Sequence, residues 1–288
     1  MGAEIDFLED LQVVKGLRGY SEAELAAGIG VTPMTLSRWR RTPEQISEEN
    51  RRRFYEFAYA QGIRLNRIRE QMFLEECRNE GAAALFHGAK TELDGAPCIE
   101  RSRERNDFGK GFYCGESFTQ AAMFVSGYPA SCVYVLRFAD SGALRRKQYG
   151  VDQDWMLTIA WNRGKLGQYA DKPAVRRLVE ELRACDYVVA PIADNRMFDL
   201  IDEFIDGDIT DIQCQHALSA TNLGMQVVFL SERALESVSV LSRCTLAEAE
   251  KTDYLRGRQE ENGIGHDKAR LARRAYRGQG RYIDEVLE

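Results

Sequence analysis

The chain has 288 residues, 44% of them hydrophobic, and a formal net charge of −6. That length suits one large or two modest domains with a packed core, and it excludes a disordered chain and a surface coated with basic charge for non-specific nucleic-acid binding. The seven cysteines, Cys77, Cys98, Cys114, Cys132, Cys185, Cys214 and Cys244, are odd in number and widely spaced without a CxxC pair. This argues against a zinc site and a disulfide framework, and for reduced, mostly buried thiols in a cytoplasmic protein. The first segment, MGAEIDFLEDL, is acidic and amphipathic, with no basic region ahead of an apolar core, so it is not a secretory signal. No run of about 18 apolar residues spans a membrane.

Residues 4–66 are expected to be helical. Ile5, Leu8, Leu11 and Val13 or Val14 recur at helical spacing until Gly16 and Gly19 interrupt them. Ser21-Glu22-Ala23-Glu24 is a capping box that opens a second helix with Leu25, Ala26 and Ile29 on its apolar face. Gly28 to Val31 reads as a tight turn, after which Thr32 and Pro33 supply an N-cap and a first-turn proline for a third helix. A further helix runs from Ser47 to about Gln61, with Phe54, Phe57 and Ala58 inward and an Arg51-Arg52-Arg53 run outward. Two short helices around a glycine-containing turn have helix-turn-helix geometry.

The stretch SEAELAAGIGVTPMTLSRWRR resembles the bacterial Cro/repressor-type helix-turn-helix family. The resemblance implies that the second of the two helices enters a DNA major groove with Thr32, Met34, Thr35, Ser37, Arg38 and Arg41, and that Ala26, Ile29, Val31 and Leu36 fix the pair. It also implies a homodimer. Residues 1–66 hold nine Lys/Arg and ten Asp/Glu, a net of −1 (9 − 10), which is a weak phosphate footprint. The Arg run as a solvated helix face, and the module as a surface for a protein partner, therefore stand as alternatives.

Residues 67–80 read as a polar helical connector, and the character changes at Gly81. An apolar run, Ala83 to Phe86, ends in His87-Gly88, and a charged, Gly- and Pro-containing loop follows to Asn106. Next come Asp107-Phe108-Gly109-Lys110-Gly111-Phe112-Tyr113 and a helix from about Ser117. Strands are expected at 133–138, 187–190 and 226–230, and helices near 154–163, 173–184, 196–206 and 211–221. Trp155, Trp161 and Asn162-Arg163 lie on the first of these helices, where core packing is the default. From 245 to 288 the chain is a charged helical extension with a basic stretch at 269–277; His216 and His266 have no evident partners in the sequence.

The elements LFHGAK and DFGKGFYCGESFTQAAMFV resemble the first two NAD-binding motifs of the ADP-ribosyltransferase superfamily, its poly(ADP-ribose) polymerase branch in particular. The whole of roughly 83–240 is more closely similar to an uncharacterised, toxin-like bacterial family with HG, DFGxGFY, a Pro-Ile-Ala-Asp segment and a final Gln-led strand. The expected architecture is therefore α+β: an N-terminal all-α helix-turn-helix domain (1–66), the connector (67–80), a split β-sheet ADP-ribosyltransferase-like domain (81–244) and the extension (245–288).

The resemblance implies that His87 holds the adenine ribose and the Gly88 backbone pairs with the nicotinamide carboxamide. Tyr113 and Phe124 would stack on the cationic ring. Gly111 would allow close approach, and Arg103 would reach the pyrophosphate. The family's carboxamide-binding serine is Ala121 here. Its strand-start glutamate is Gln226, which can bond a ribose hydroxyl but offers no full charge to an oxocarbenium-like transition state, a loss worth about 10²–10³ in rate. Asp194, after the 187–190 strand, is the candidate carboxylate in its place; helix capping competes for it, and Glu232, past the last strand, is expected to cap a later helix.

With His87, Tyr113 and Gln226 as catalytic residues, the resemblance implies a mono-ADP-ribosyltransferase that uses NAD+ and a macromolecular acceptor, in a toxin or phage-defence setting with an antitoxin. Two other readings stay open: an NAD+- or ADP-ribose-sensing DNA-binding regulator without turnover, which Gln226 and Ala121 favour, and an NAD+ glycohydrolase.

Overall fold

Local capping signals act where the sequence carries them. The computed structural model describes residues 2–193, 195–221 and 224–288. α1 (Gly2–Arg18) continues through Gly16 and stops at Gly19, whose φ of 65° is left-handed. α2 (Glu22–Ile29) starts at Ser21, which accepts from the Glu24 N–H while the Glu24 carboxylate accepts from the Ser21 N–H. Gly28 and Ile29 belong to this helix, so the expected turn is shorter, and Gly30 closes it at φ 79°. α3 (Pro33–Arg41) is capped by Thr32, whose hydroxyl accepts from the Thr35 N–H at 3.1 Å. α4 (Glu48–Ala60) is capped by Ser47.

Then follow α5 (Leu65–Asn79), β1 (Ala83–Ala89), β2 (Phe112–Gly115), α6 (Phe118–Val125), β3 (Cys132–Phe138) and β4 (Arg146–Gln148). α7 (Gln153–Asn162), α8 (Pro173–Arg183), β5 (Tyr187–Pro191), α9 (Asn195–Ile205) and α10 (Asp211–Ser219) come next. The chain closes with β6 (Met225–Phe229), α11 (Glu232–Leu235), β7 (Val238–Thr245), α12 (Glu248–Ala275) and α13 (Ile283–Val286). The mixed α and β content is the expected class, and the strands and helices read from periodicity fall within a few residues of their expected places. β4 and β7 lie outside that reading: one has only three residues and the other is half exposed, so neither has a clear apolar alternation.

Two compact units divide the chain, and both are discontinuous. The first comprises residues up to Asp94, Phe118–Ala139 and Ser239–Gly257. In it α1 to α4 enclose Phe7, Leu11, Leu25, Leu36, Trp39 and Phe54, with the Phe7 ring edge-on to Trp39 and Phe54. β1 pairs antiparallel with β3, Ala83 opposite Phe138 and His87 opposite Tyr134, and β7 lies beyond β3. Phe86, Phe118, Ala122, Val125, Val133 and Val135 pack between α6 and these strands.

α5 is a structural helix of this unit: Asn66, Arg69, Glu70 and Cys77 are buried on it. Its buried positions are largely polar and paired, so hydropathy alone reads it as a connector. The Arg69 guanidinium binds Asp10 through Nε at 3.1 Å and Nη2 at 2.9 Å, and donates through Nη1 to Ser242 at 2.9 Å. The Tyr55 hydroxyl donates to Asp10 at 2.8 Å. This one network ties α1, α4, α5 and β7.

The second unit comprises Gly95–Ser117, Asp140–Val238 and Arg258–Glu288. β4 runs parallel to β5, β5 antiparallel to β6, and β6 antiparallel to β2, with Gly115 opposite Gln226. Trp155, Ile159, Leu178, Phe204, Val188 and Val228 lie in its core. The end of the chain belongs to that core too: Ile283, Val286 and Leu287 are buried in it. The Asp211 carboxylate accepts from the Arg281 N–H, and the Gln213 amide donates to the Arg273 carbonyl. His216 stacks on Tyr276, centroids 3.6 Å apart and planes 4° from parallel. Among the described residues no helix is long and apolar enough to cross a membrane, and none of the seven cysteines forms a disulfide.

Candidate functional site

The second unit gathers an unusual set of buried polar side chains around the start of β6. Gln226 is 5% exposed and Asp107 6% exposed. The Gln226 Nε2 donates to Asp107 Oδ2 at 3.1 Å and to the Pro191 carbonyl at 3.1 Å. Asp107 Oδ1 accepts from Arg163 at 2.9 Å. The Arg163 guanidinium lies over the Phe198 ring, 3.1 Å from its centroid. Backbone pairing explains the convergence: β6 lies between β5, which ends at Pro191, and β2, which the Asp107 loop enters.

Asp107 and Arg163 are the site residues that sequence reasoning misses. Asp107 stands inside the DFGKGFY motif, but its glycines and aromatics take the attention. Arg163, next to α7, has core packing as its default reading; the signal that could have found it is a cation closing a helix that is otherwise largely apolar.

Tyr113 is committed to its own loop. Its hydroxyl donates to the Gly109 carbonyl at 2.7 Å and accepts from the Phe108 N–H at 3.1 Å. Burial pushes the phenol well above its ordinary range. Its role as a stacking partner must therefore use the ring alone. Gly109 needs φ 74°, and a Cβ there would lie 3.1 Å from Asn162 Oδ1. Gly111 allows β2 to approach β6: a Cβ would lie 2.7 Å from Val228 Cγ1 and 3.0 Å from the Phe229 carbonyl.

In the first unit, His87 is half-buried on β1. Gly88 is where α6 comes closest to that strand: a Cβ would lie 2.5 Å from the Ala121 carbonyl oxygen and 2.9 Å from Val125 Cγ1. A glycine at 88 is thus required by packing whether or not a ligand pairs with its backbone. Gly88→Ala is expected to destabilise the protein by about 1–3 kcal/mol through overpacking. A urea-unfolding midpoint equal to wild type would show that α6 moves away freely. Ala121 is buried against this contact. Phe124, by contrast, is 64% exposed, so it is not a core aromatic and its ring is free to meet a ligand.

Arg103 is exposed in the loop before Asp107, and its carbonyl accepts from Asn106 at 3.0 Å. Asp194 lies outside the described residues. Ser231, rather than Glu232, caps α11.

On the N-terminal helices, Thr32, Ser37, Arg38 and Arg41 are exposed and Thr35 half-buried, while Met34 is 79% exposed. The Thr32 and Thr35 hydroxyls lie 3.0 Å apart and serve the helix start. Arg41 reaches back to Ser37 at 3.4 Å, so Met34 and Arg38 are the most outward of the set. Two members of the Arg run are engaged: Arg53 with Glu49 at 2.5 Å, and Arg51 over the Phe7 ring at 5.2 Å.

The family model described as protein of unknown function (DUF3990) matches residues 83–240, and the chain belongs to that family. No curated protein and no solved structure matches the chain.

Proposed function

We propose that residues 83–240 bind NAD+ and cleave its nicotinamide–ribose bond, transferring ADP-ribose to a macromolecule as a bacterial toxin or phage-defence effector does, and that α2 and α3 act as a DNA-binding helix-turn-helix. Gln226 carries this assignment most directly. It stands at the start of a central strand, where the superfamily it resembles has the residue that holds the nicotinamide-ribose hydroxyl, and its side chain is held by two hydrogen bonds. Preorganised dipoles of this kind are what a charge-developing reaction requires. His87, Gly88, Phe124 and the Tyr113 ring take the cofactor-binding roles the resemblance assigns them.

A second reading is favoured by two particular residues: with a neutral amide at 226 and no hydroxyl at 121, the domain senses NAD+ or ADP-ribose without turnover and the N-terminal helices carry the response to DNA. Nicotinamide release from NAD+ by the purified chain, with and without cell extract, separates the readings. Release is expected, with ADP-ribose recovered on protein or nucleic acid, and His87→Ala is expected to lower it about tenfold or more, the worth of a lost ligand hydrogen bond. NAD+ binding without release would move the assignment to the sensor; free ADP-ribose alone would make the protein a glycohydrolase; neither binding nor release would rule NAD+ out as the ligand.

A further inference from the structure

Gln226 does not behave as a glutamate that has lost its charge. Its Nε2 has two hydrogens, and both are used, one on Asp107 Oδ2 and one on the Pro191 carbonyl. Each partner is an acceptor only, so the amide has one sensible orientation; turned over, its oxygen would face a carboxylate and a carbonyl. What residue 226 has left for a ligand is Oε1, an acceptor, and no bond to Oε1 forms among the described residues. Asp107 cannot swing away, because Arg163 holds its other oxygen at 2.9 Å and the Arg163 guanidinium is itself seated on Phe198.

We propose that Asp107 is a positioning residue that sets the polarity of residue 226, so that the Arg163–Asp107–Gln226 chain selects a ligand bearing a hydroxyl donor at that point. That the hydroxyl is a ribose hydroxyl of NAD+ rests on the function proposed above. The pair also accounts for the amide: a glutamate at 226 would set a second carboxylate about 3 Å from Asp107 and against the Pro191 carbonyl, where two like charges do not both ionise. Asp107 and Gln226 are thus two halves of one device, and changing either alone breaks it.

Titration calorimetry on the full chain tests this, with NAD+ and with the analogue lacking the 2′-hydroxyl of the nicotinamide ribose as the two probes. Wild type is expected to prefer NAD+ about tenfold. In Asp107→Asn the Arg163 bond holds the introduced oxygen, so the introduced amide sets a donor against the Gln226 Nε2; only the Pro191 carbonyl then still fixes the Gln226 amide, and the preference is expected to fall. In the double variant Asp107→Asn/Gln226→Glu the introduced asparagine donates to the introduced glutamate and an acceptor again faces the ligand; one glutamate oxygen still meets the Pro191 carbonyl, so part of the preference for NAD+ returns. A simple loss of structure would not restore the ratio in the double variant, and should the single variant fail to fold, the double variant decides. An unchanged preference in Asp107→Asn, or a folded double variant that binds both probes equally, overturns the proposal while leaving NAD+ binding intact. No binding of NAD+ to wild type would instead overturn the NAD+ reading, and this inference with it.

Discussion

Arg69→Leu is expected to destabilise the protein by about 3–5 kcal/mol, the range for removing one partner of a buried ion pair. Arg69 is 6% exposed and Asp10 4% exposed. The leucine would remove the guanidinium from the buried Asp10 carboxylate, which keeps the Tyr55 hydroxyl at 2.8 Å, and would take the Nη1 donor, 2.9 Å away, from the Ser242 hydroxyl. Desolvating an uncompensated charge is the dominant loss, so the remedy is to remove the charge. The triple variant Asp10→Leu/Tyr55→Phe/Arg69→Leu, which deletes the network's main polar groups together, is expected to recover most of the stability. Urea unfolding of the two variants beside wild type checks this. A single variant within about 1 kcal/mol of wild type would mean that water reaches Asp10 and that the network contributes little.

Raising the pH from 5 to 8 is expected to weaken the protein through Glu250, and Glu250→Gln is expected to flatten that dependence. Burial of Glu250 pushes its carboxyl from an ordinary value near 4.5 up to about 7. Opposing it, and smaller, are hydrogen bonds from the Asn66 amide at 2.9 Å, the Ala247 backbone and the Tyr254 hydroxyl, and the charge of Arg64. Because the folded value lies above the unfolded one, the folded protein holds a proton that the unfolded chain gives up. The associated stability is fully present below about 4.5 and is lost as pH rises through about 7. Each tenfold gain in proton affinity on folding is worth about 1.4 kcal/mol, so the loss is of the order of 3 kcal/mol. A glutamine keeps an acceptor for Asn66 and has no proton to lose, so its unfolding midpoints at pH 5 and pH 8 should differ less than those of wild type. Equal pH dependence in the two proteins would assign the effect elsewhere.

The candidate site was partly legible before any tertiary structure. Gln226 is singled out by the resemblance, which matches it to the superfamily's strand-start glutamate, and the DFGKGFY glycines mark a turn. The structure gives those glycines particular tasks: Gly111 closes β2 on β6, and Gly88 closes β1 on α6. Phe124 and Tyr113 exchange characters, the first exposed and the second tied into its own loop. Asp107 was hidden by being one carboxylate among 45 acidic residues. Only the neighbourhood of β5 and β6 singles it out, and that neighbourhood is non-local.

Sequence by itself determined the helix starts at Ser21, Thr32 and Ser47 and the main apolar strands, because caps and periodicity act over three or four residues. Tertiary structure alone decided how these pieces divide. The polar helix α5 is buried because Arg69 meets Asp10, 59 positions away in sequence, and the charged chain end is anchored because Asp211 meets the Arg281 N–H, 70 positions away. A buried charge is stable only beside its partner, and no local pattern of hydropathy encodes where that partner lies.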